Sequence, residues 1–253
     1  MKIGIITDVH GNGPALKAVL QEIDTRKEIE RIYCLGDMIG IGPDTNEVLG
    51  LLFSRKDISM ITGNHDEAIL ALLKREEYPL SHTHTKVHHQ WIADNMDKSY
   101  IPNLEKLPRT IDTIIEGHSV LFTHYHIKES KRNSHISQDS FSEIVEASFK
   151  PINDLFKGYN KELICFGHNH PVHFFQSKKT AFLNPGSLGC NLQPIASYAI
   201  ANIDKEKIEI SLEKVAYDNS FFLESYETLK VPDREFIINI FHGDQNRKDG
   251  RGV

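Results

Sequence analysis

The chain has 253 residues, 40% of them hydrophobic and 25% charged, the composition of a globular protein large enough for one sizeable domain or two small ones. Its net charge of −6 gives no support to a broad nucleic-acid-binding face, and no apolar stretch approaches the ~20 residues of a membrane span. The first apolar run, residues 3–6, feeds straight into Asp8, and Cys34, Cys165 and Cys190 sit in or beside apolar segments, so a cytoplasmic protein with buried, reduced thiols and no signal peptide is expected.

In chain order, residues 3–7 predict a short buried strand. Residues 14–27 predict a helix with Leu16, Val19, Leu20 and Ile23 on one face. A second strand follows over 31–35, a second helix over 45–55 with Thr45 as its N-cap, and a third strand over 58–62. That alternation is the pattern of a parallel sheet covered by crossovers. Residues 67–107 read as a polar, mainly helical insertion outside the sheet. Strands are predicted at 119–123 and 163–166, separated by a helix over 138–156 with Phe141, Ile144, Val145 and Phe149 in register. Then the pattern changes. Residues 172–176, 180–183, 197–203 and 207–216 predict consecutive strands joined by turns, an antiparallel second sheet. A helix over 221–229 and a last strand over 235–241 complete the chain. The reading is one domain over 1–241 and a disordered tail over 242–253.

Five of these strands end in metal-type residues: Asp8-Val9-His10, Gly36-Asp37, Gly63-Asn64-His65-Asp66, His124 and Gly167-His168-Asn169-His170. Carboxylate, imidazole and amide side chains hold divalent transition metals. In an open α/β sheet, ligands bind beyond the carboxyl ends of the strands, so all five ends face one crevice. In an extended segment residues i and i+2 point to one side, so Asp8 and His10 can reach one ion together. His168 and His170, about 6.5–7 Å apart along an extended chain, suit two ions about 3.5–4 Å apart.

The ordered set resembles the calcineurin-like metallophosphoesterase superfamily. The flanking stretches Gly36-Asp37-Met38-Ile39-Gly40-Ile41-Gly42-Pro43-Asp44 and Asn184-Pro185-Gly186-Ser187-Leu188-Gly189 resemble its small bacterial and archaeal phosphodiesterase branch, which includes diadenosine tetraphosphate hydrolases. The resemblance implies an α/β (α+β) fold, a four-layer α-β-β-α sandwich with two mixed β-sheets. It implies that Asp8, His10 and His170 hold one divalent ion, that Asn64, His124 and His168 hold a second, and that Asp37 bridges both. It further implies hydrolysis of phosphodiester or nucleotide phosphoanhydride bonds, with in-line attack by a metal-bridging hydroxide and His65 protonating the leaving oxygen. Mn or Fe is expected, and Zn, Ni and Co are compatible with the same donors. The partner is then a small phosphoester or nucleotide rather than a membrane or a nucleic acid. Asn12, Tyr125, Lys128, Lys131 and Arg132 are the candidate substrate contacts.

Two departures matter. Many relatives carry glycine directly after the histidine at 124, where this chain has Tyr125. Protein Ser/Thr phosphatases of the superfamily carry an acidic residue and an arginine shortly after the Gly-Asp block, where this chain has Gly40 and Ile41. The clamping arginine and the acidic partner of the proton donor are both missing, which favours a diesterase or nucleotidase-like activity. A second histidine group, His82, His84, His88 and His89, reads as a solvated surface cluster, and Trp91, Ile92 and Met96 read as packing residues. Gly40 and Gly42 read as loop-geometry residues. The alternatives are a non-catalytic scaffold on the same fold, disfavoured because no ligand is lost, and a nuclease with the same chemistry, disfavoured by the charge.

Overall fold

The computed structural model describes residues 1–243. Its elements in chain order are β1 (Lys2–Ile6), α1 (Gly13–Thr25), β2 (Ile29–Cys34), α2 (Thr45–Phe53), β3 (Ile58–Met60), α3 (Asn64–Lys74), α4 (Lys86–Asn95), α5 (Ile101–Leu104), β4 (Thr110–Ile115), β5 (His118–Thr123), α6 (Phe149–Leu155), β6 (Leu163–Cys165), β7 (His173–Gln176), β8 (Ala181–Asn184), β9 (Ile195–Ile203), β10 (Ile208–Ala216), α7 (Ser220–Thr228) and α8 (Arg234–His242). They form two five-stranded mixed sheets, ordered β10-β9-β1-β2-β3 and β4-β5-β6-β8-β7.

The period-2 alternation of strand side chains builds the layers. Ile3 and Ile5 of β1 and Tyr33 of β2 face Val120 and Phe122 of β5, Leu163 and Cys165 of β6, and Leu183 of β8 in a core between the sheets. Tyr33 and Phe122 stack there with ring centroids 3.8 Å apart. The opposite face of the first sheet packs Ile6, Ile32 and Cys34 against Leu16, Val19, Val48 and Leu52 of α1 and α2. The opposite face of the second packs Leu121, Ile164 and Phe182 against Ile152 and Phe156. Helix, sheet, sheet, helix is the four-layer sandwich. The three cysteines are buried and unpaired, and no helix among the described residues is long and apolar enough to cross a membrane.

The expected strands over 172–216 do not form one sheet. β7 and β8 extend the second sheet, whereas β9 runs antiparallel to β1, with Ile3 opposite Ala201, and β10 covers its outer edge. Alternation marks a strand but not the edge it joins. Small Ala199 and Ala201 let β9 lie in the packed layer between the sheets. β4 is an additional strand, paired antiparallel with β5 across a two-residue turn at Glu116 and Gly117, both with positive φ. The predicted helix over 138–156 shrinks to α6. Before it, Asp139 adopts a left-handed φ of 49° and Phe141 bridges Ile127; Phe141 and Val145 pack against the cluster of Leu121, Ile164 and Phe182, while Ile144 is exposed. The expected strand over 235–241 is helix α8. Adjacent Ile237 and Ile238 are both buried, with partly buried Phe241 three residues on, a helical spacing, and Gly243 closes the helix at a φ of 63°. The expected tail over 242–253 thus begins inside a helix at His242, and residues 244–253 lie outside the described residues.

Candidate metal centre

The five strand-end segments converge at one end of the sandwich. His10 Nε2 lies 3.6 Å from Asp8 Oδ1, 3.8 Å from Asp37 Oδ2 and 3.0 Å from His170 Nε2. His170 Nε2 is 3.8 Å from Asp8 Oδ1. On the other side of Asp37, His124 Nε2 lies 3.2 Å from Asp37 Oδ2 and 2.9 Å from Asn64 Oδ1. The His168 ring stands against His124 with centroids 5.2 Å apart. Ligand atoms of Asp8, His10 and Asp37 fall within one 4.8 Å group, and those of Asp37, His124 and His168 within another, so Asp37 belongs to both.

The local backbone is unusual in a way that explains the convergence. Asp8, His10, Asp37 and His168 all have positive φ, between 49° and 69°, although none is glycine. Such residues cost of order 1–3 kcal/mol each and persist only where the surroundings impose them. Asp8-Val9-His10 is therefore not the extended segment expected. It is a tight loop pinned by hydrogen bonds from the amides of Asp8 and His10 to the carbonyls of Gly36 and Asp37. The Asn184–Gly189 stretch backs this loop: Ser187 Oγ donates to the Asp8 carbonyl, and a side chain at Gly189 would collide with the Val9 carbonyl. Asn64 and His65 open α3, where Asp66 accepts from the amides of Gly63 and Ile39 and so ties two ligand loops together. Burial, with Asp37 nearby, raises Asp66 to about 7.

Donor chemistry tests the fit to cations. His124 Nδ1 lies 2.7 Å from the Leu35 carbonyl oxygen and must donate to it. A neutral His124 then turns a bare Nε2 toward a carboxylate oxygen and an amide oxygen, acceptor against acceptor. Only a proton or a metal ion between them satisfies all three. Without a metal, the proton takes that place: burial works against a charged imidazole, but the Asp37 and Asp8 carboxylates raise His124 to about 9. Burial pushes Asp8 up, yet its hydrogen bond with His10 and the surrounding imidazoles bring it down to about 2. His168 and His170, lowered mainly by burial to about 3 and about 4, stay neutral and able to ligate. The residues fit two divalent cations sharing Asp37.

Three site residues carry no sequence signal that singles them out. Asn64 Nδ2 lies 2.8 Å from His82 Nε2, which fixes the amide with its oxygen toward the cluster. His65 Nδ1 lies 2.8 Å from His89 Nε2, and His89 Nδ1 lies 2.8 Å from the Tyr78 hydroxyl. The second histidine group is thus not a surface cluster. His88 and His89 are buried and His82 is partly so, while His84 alone is exposed, because the 3₁₀ turn Leu80–Thr85 folds the segment back over α3. Trp91, Ile92 and Met96 do pack into the helical layer. Cys190 joins His10 and His170 in a third possible donor group, and burial keeps its thiol protonated.

The candidate substrate contacts fall elsewhere. Asn12 caps α1 through the Ala15 amide and donates to the Gly189 carbonyl. Tyr125 is buried behind His168, its hydroxyl accepting from the Val145 amide. Lys131 donates to the carbonyls of Gln138 and Asp139, Arg132 pairs with Glu129, and Lys128 is exposed. A cavity of about 260 Å³ opens beside the Asn64 half, lined by Asn64, Ser81, His82, Phe141, Ser142 and His168.

The profile of the Calcineurin-like phosphoesterase superfamily domain matches residues 1–206. The chain belongs to this superfamily. An uncharacterized protein of Methanocaldococcus jannaschii is 28% identical over 91% of this chain and 94% of its own length. A symmetrical bis(5'-nucleosyl)-tetraphosphatase of Buchnera aphidicola is 25% identical, over 45% of this chain and only 36% of that protein. Among solved structures, a hypothetical protein of Pyrococcus horikoshii superposes with a TM-score of 0.77 at 20% identity, covering 96% of this chain and 98% of that one. A metallophosphoesterase of Sphaerobacter thermophilus gives 0.70 at 23%, covering 95% and 98%. These structures share the fold. Membership in the calcineurin-like superfamily makes the chain a divalent-metal phosphoesterase by family chemistry.

Proposed function

We propose that this member of the superfamily is a dinuclear phosphoesterase that hydrolyses a phosphodiester or nucleotide phosphoanhydride bond of a small substrate by in-line attack of water. The observation that carries the reading is the position of Asp37 between two ligand groups, with His124 Nε2 turned toward it while Nδ1 is committed to the Leu35 carbonyl. Asp8, His10 and His170 would hold one cation, and Asn64, His124 and His168 the other. Mn or Fe suits this mixture of carboxylate, imidazole and amide donors. When bound, the two cations supply Lewis-acid activation of water and neutralise phosphate charge.

The chain's own residues do the rest. The main-chain N–H of His65 donates to Asp37 Oδ1 at 2.8 Å, which orients the shared carboxylate and brings the His65 ring beside it. There His65 would deliver a proton to the leaving oxygen. The cavity beside Asn64 would receive the organic part of the substrate, with the Phe141 ring on one wall. Its volume favours a small group over a polymer. Buried reduced thiols agree with action in the cytoplasm.

The test is direct. The purified chain, stripped with chelator and reconstituted with Mn(II), should hydrolyse bis(p-nitrophenyl) phosphate or a dinucleoside polyphosphate. Chelator should abolish the activity. A reconstituted chain inert toward a broad panel of phosphoesters and phosphoanhydrides would refute the reading.

A further inference from the structure

The hydrogen bonds around His65 leave little choice about where its proton sits. Tyr78 has one hydroxyl hydrogen, and its oxygen lies 3.1 Å from the main-chain carbonyl of His82, which can only accept. The same carbonyl also accepts from Thr85 Oγ1 at 2.9 Å, and its two lone pairs serve both hydroxyls; turning the Tyr78 hydrogen away would leave two acceptor oxygens facing each other. The Tyr78 oxygen must then accept from His89 Nδ1, 2.8 Å away, which therefore carries a proton. A neutral His89 so defined offers a lone pair at Nε2. What faces that lone pair, at 2.8 Å, is His65 Nδ1, which must be N–H. The directions run in one sense, from His65 to His89 to Tyr78 to the His82 carbonyl.

We infer that His89, held by Tyr78, is the positioning residue for His65, fixing the proton of the neutral imidazole on Nδ1 and leaving Nε2 bare for the substrate. Gly40 supports this from the other side. It has a φ of 122°, and a Cβ there would lie 2.6 Å from His65 Cβ and 2.8 Å from Nδ1, so the main chain closes against the ring and excludes a side-chain partner at position 40. The acidic partner absent after the Gly-Asp block is replaced by an imidazole 24 residues downstream of His65.

The role in catalysis rests on the phosphoesterase reading above. Nε2 of the neutral His65 first takes a proton from solvent water; water oxygen then bonds to phosphorus and gives up one proton to solvent, the bond from phosphorus to the leaving oxygen breaks with its electron pair on that oxygen, and the oxygen takes the proton from Nε2. His65 is left neutral with its proton on Nδ1, the tautomer that His89 already holds. No proton has to travel along the relay.

The relay can be read without turnover. In the zinc-loaded, ¹⁵N-labelled full chain at about pH 8, where an unperturbed imidazole is neutral, long-range ¹H–¹⁵N correlation should show His65 as the Nδ1–H tautomer, with a His65→Gln variant identifying its signals. Tyr78→Phe keeps the ring but removes the acceptor, so a second His65 tautomer should appear. The kinetic arm compares kcat for a diester with an alkyl leaving group, which needs a proton, and one with p-nitrophenolate, which does not. The alkyl-to-aryl ratio should fall roughly 10–100-fold in His89→Ala and less in Tyr78→Phe, with KM little altered and partial recovery in His89→Gln. An Nε2–H tautomer in the unmodified chain, or an unchanged ratio in both variants, would overturn the inference. A parent chain that hydrolyses neither diester would instead count against the phosphoesterase reading, with the tautomer still deciding the relay.

Discussion

Asp8 and His10 share one loop, adopt the same left-handed backbone and are fully buried, with only His170 arriving from elsewhere. Asn64, His124 and His168 come from a helix start, a strand end and a separate loop, and Asn64 and His168 border a cavity. The first half is fixed by main chain: amides of the Asp8 loop bond to the Gly36 loop, and the Asn184–Gly189 stretch backs it. The second half is braced by side chains, above all His82 on Asn64. Rigidity imposed by backbone survives the loss of a neighbouring side chain, whereas an amide held by one imidazole does not. On the proposed assignment, the first half would then be the constant part of the site and the second the place where substrate and metal preference are set.

Asp37 is the one residue common to both halves, so Asp37→Ala should have the largest effect. Hydrolysis should drop by roughly 10³-fold or more, in line with the several kcal/mol a Lewis-acid ion supplies, and elemental analysis should show fewer than two ions per chain. Away from Asp37 the halves should respond differently. His82→Ala should weaken binding of one ion about 10–100-fold in calorimetric titration and leave the other unchanged. Phe241→Ala, whose ring lies 5.9 Å from that of His170, should change ion affinity by no more than about threefold. Equal losses from the two variants would erase the distinction.

The sequence displays the proposed ligands of both halves more openly than the residues that brace them, for a physical reason. Asp8, His10, Asp37, Asn64, His124 and His168 follow apolar strands, and a strand that runs through a core delivers its next residues to the sheet's end whatever else the chain does. The positive φ of Asp8, His10, Asp37 and His168 left no trace, because Asp and His, although enriched in the left-handed region, occur far more often outside it. The bracing residues lie where local pattern misleads. His84 and His88 are four apart and suggested one exposed helix face. The helix begins only at Lys86, after a 3₁₀ turn, so His88 and His89 turn inward while His84 stays out. The segment 235–241 shows the same limit: an aromatic, β-branched run reads as a strand until tertiary packing asks for a helix beside His170. The partner of β9 was hidden because register with β1 is a long-range choice.

Two smaller effects sharpen the contrast. Phe141→Ala removes a wall of the cavity beside the second half and should raise KM several-fold, by about 1 kcal/mol of lost aromatic contact, with kcat nearly unchanged. On the first side, His242 of α8 is buried against Phe222 and Tyr226, and burial lowers it to about 4. A histidine kept neutral in the fold contributes stability above its ordinary value of 6.5, and that contribution is lost as pH falls from 6.5 toward 4. Thermal melts across that window should fall less steeply for His242→Gln than for the parent chain. A parallel slope would show that α8 does not sense pH through His242.

The most direct test is anomalous diffraction from crystals of the chain grown with Mn(II). Two peaks about 3.5–4 Å apart, one among Asp8, His10 and His170, the other among Asn64, His124 and His168, with Asp37 in contact with each, are what the account predicts. A single peak, or two that do not share Asp37, would contradict it.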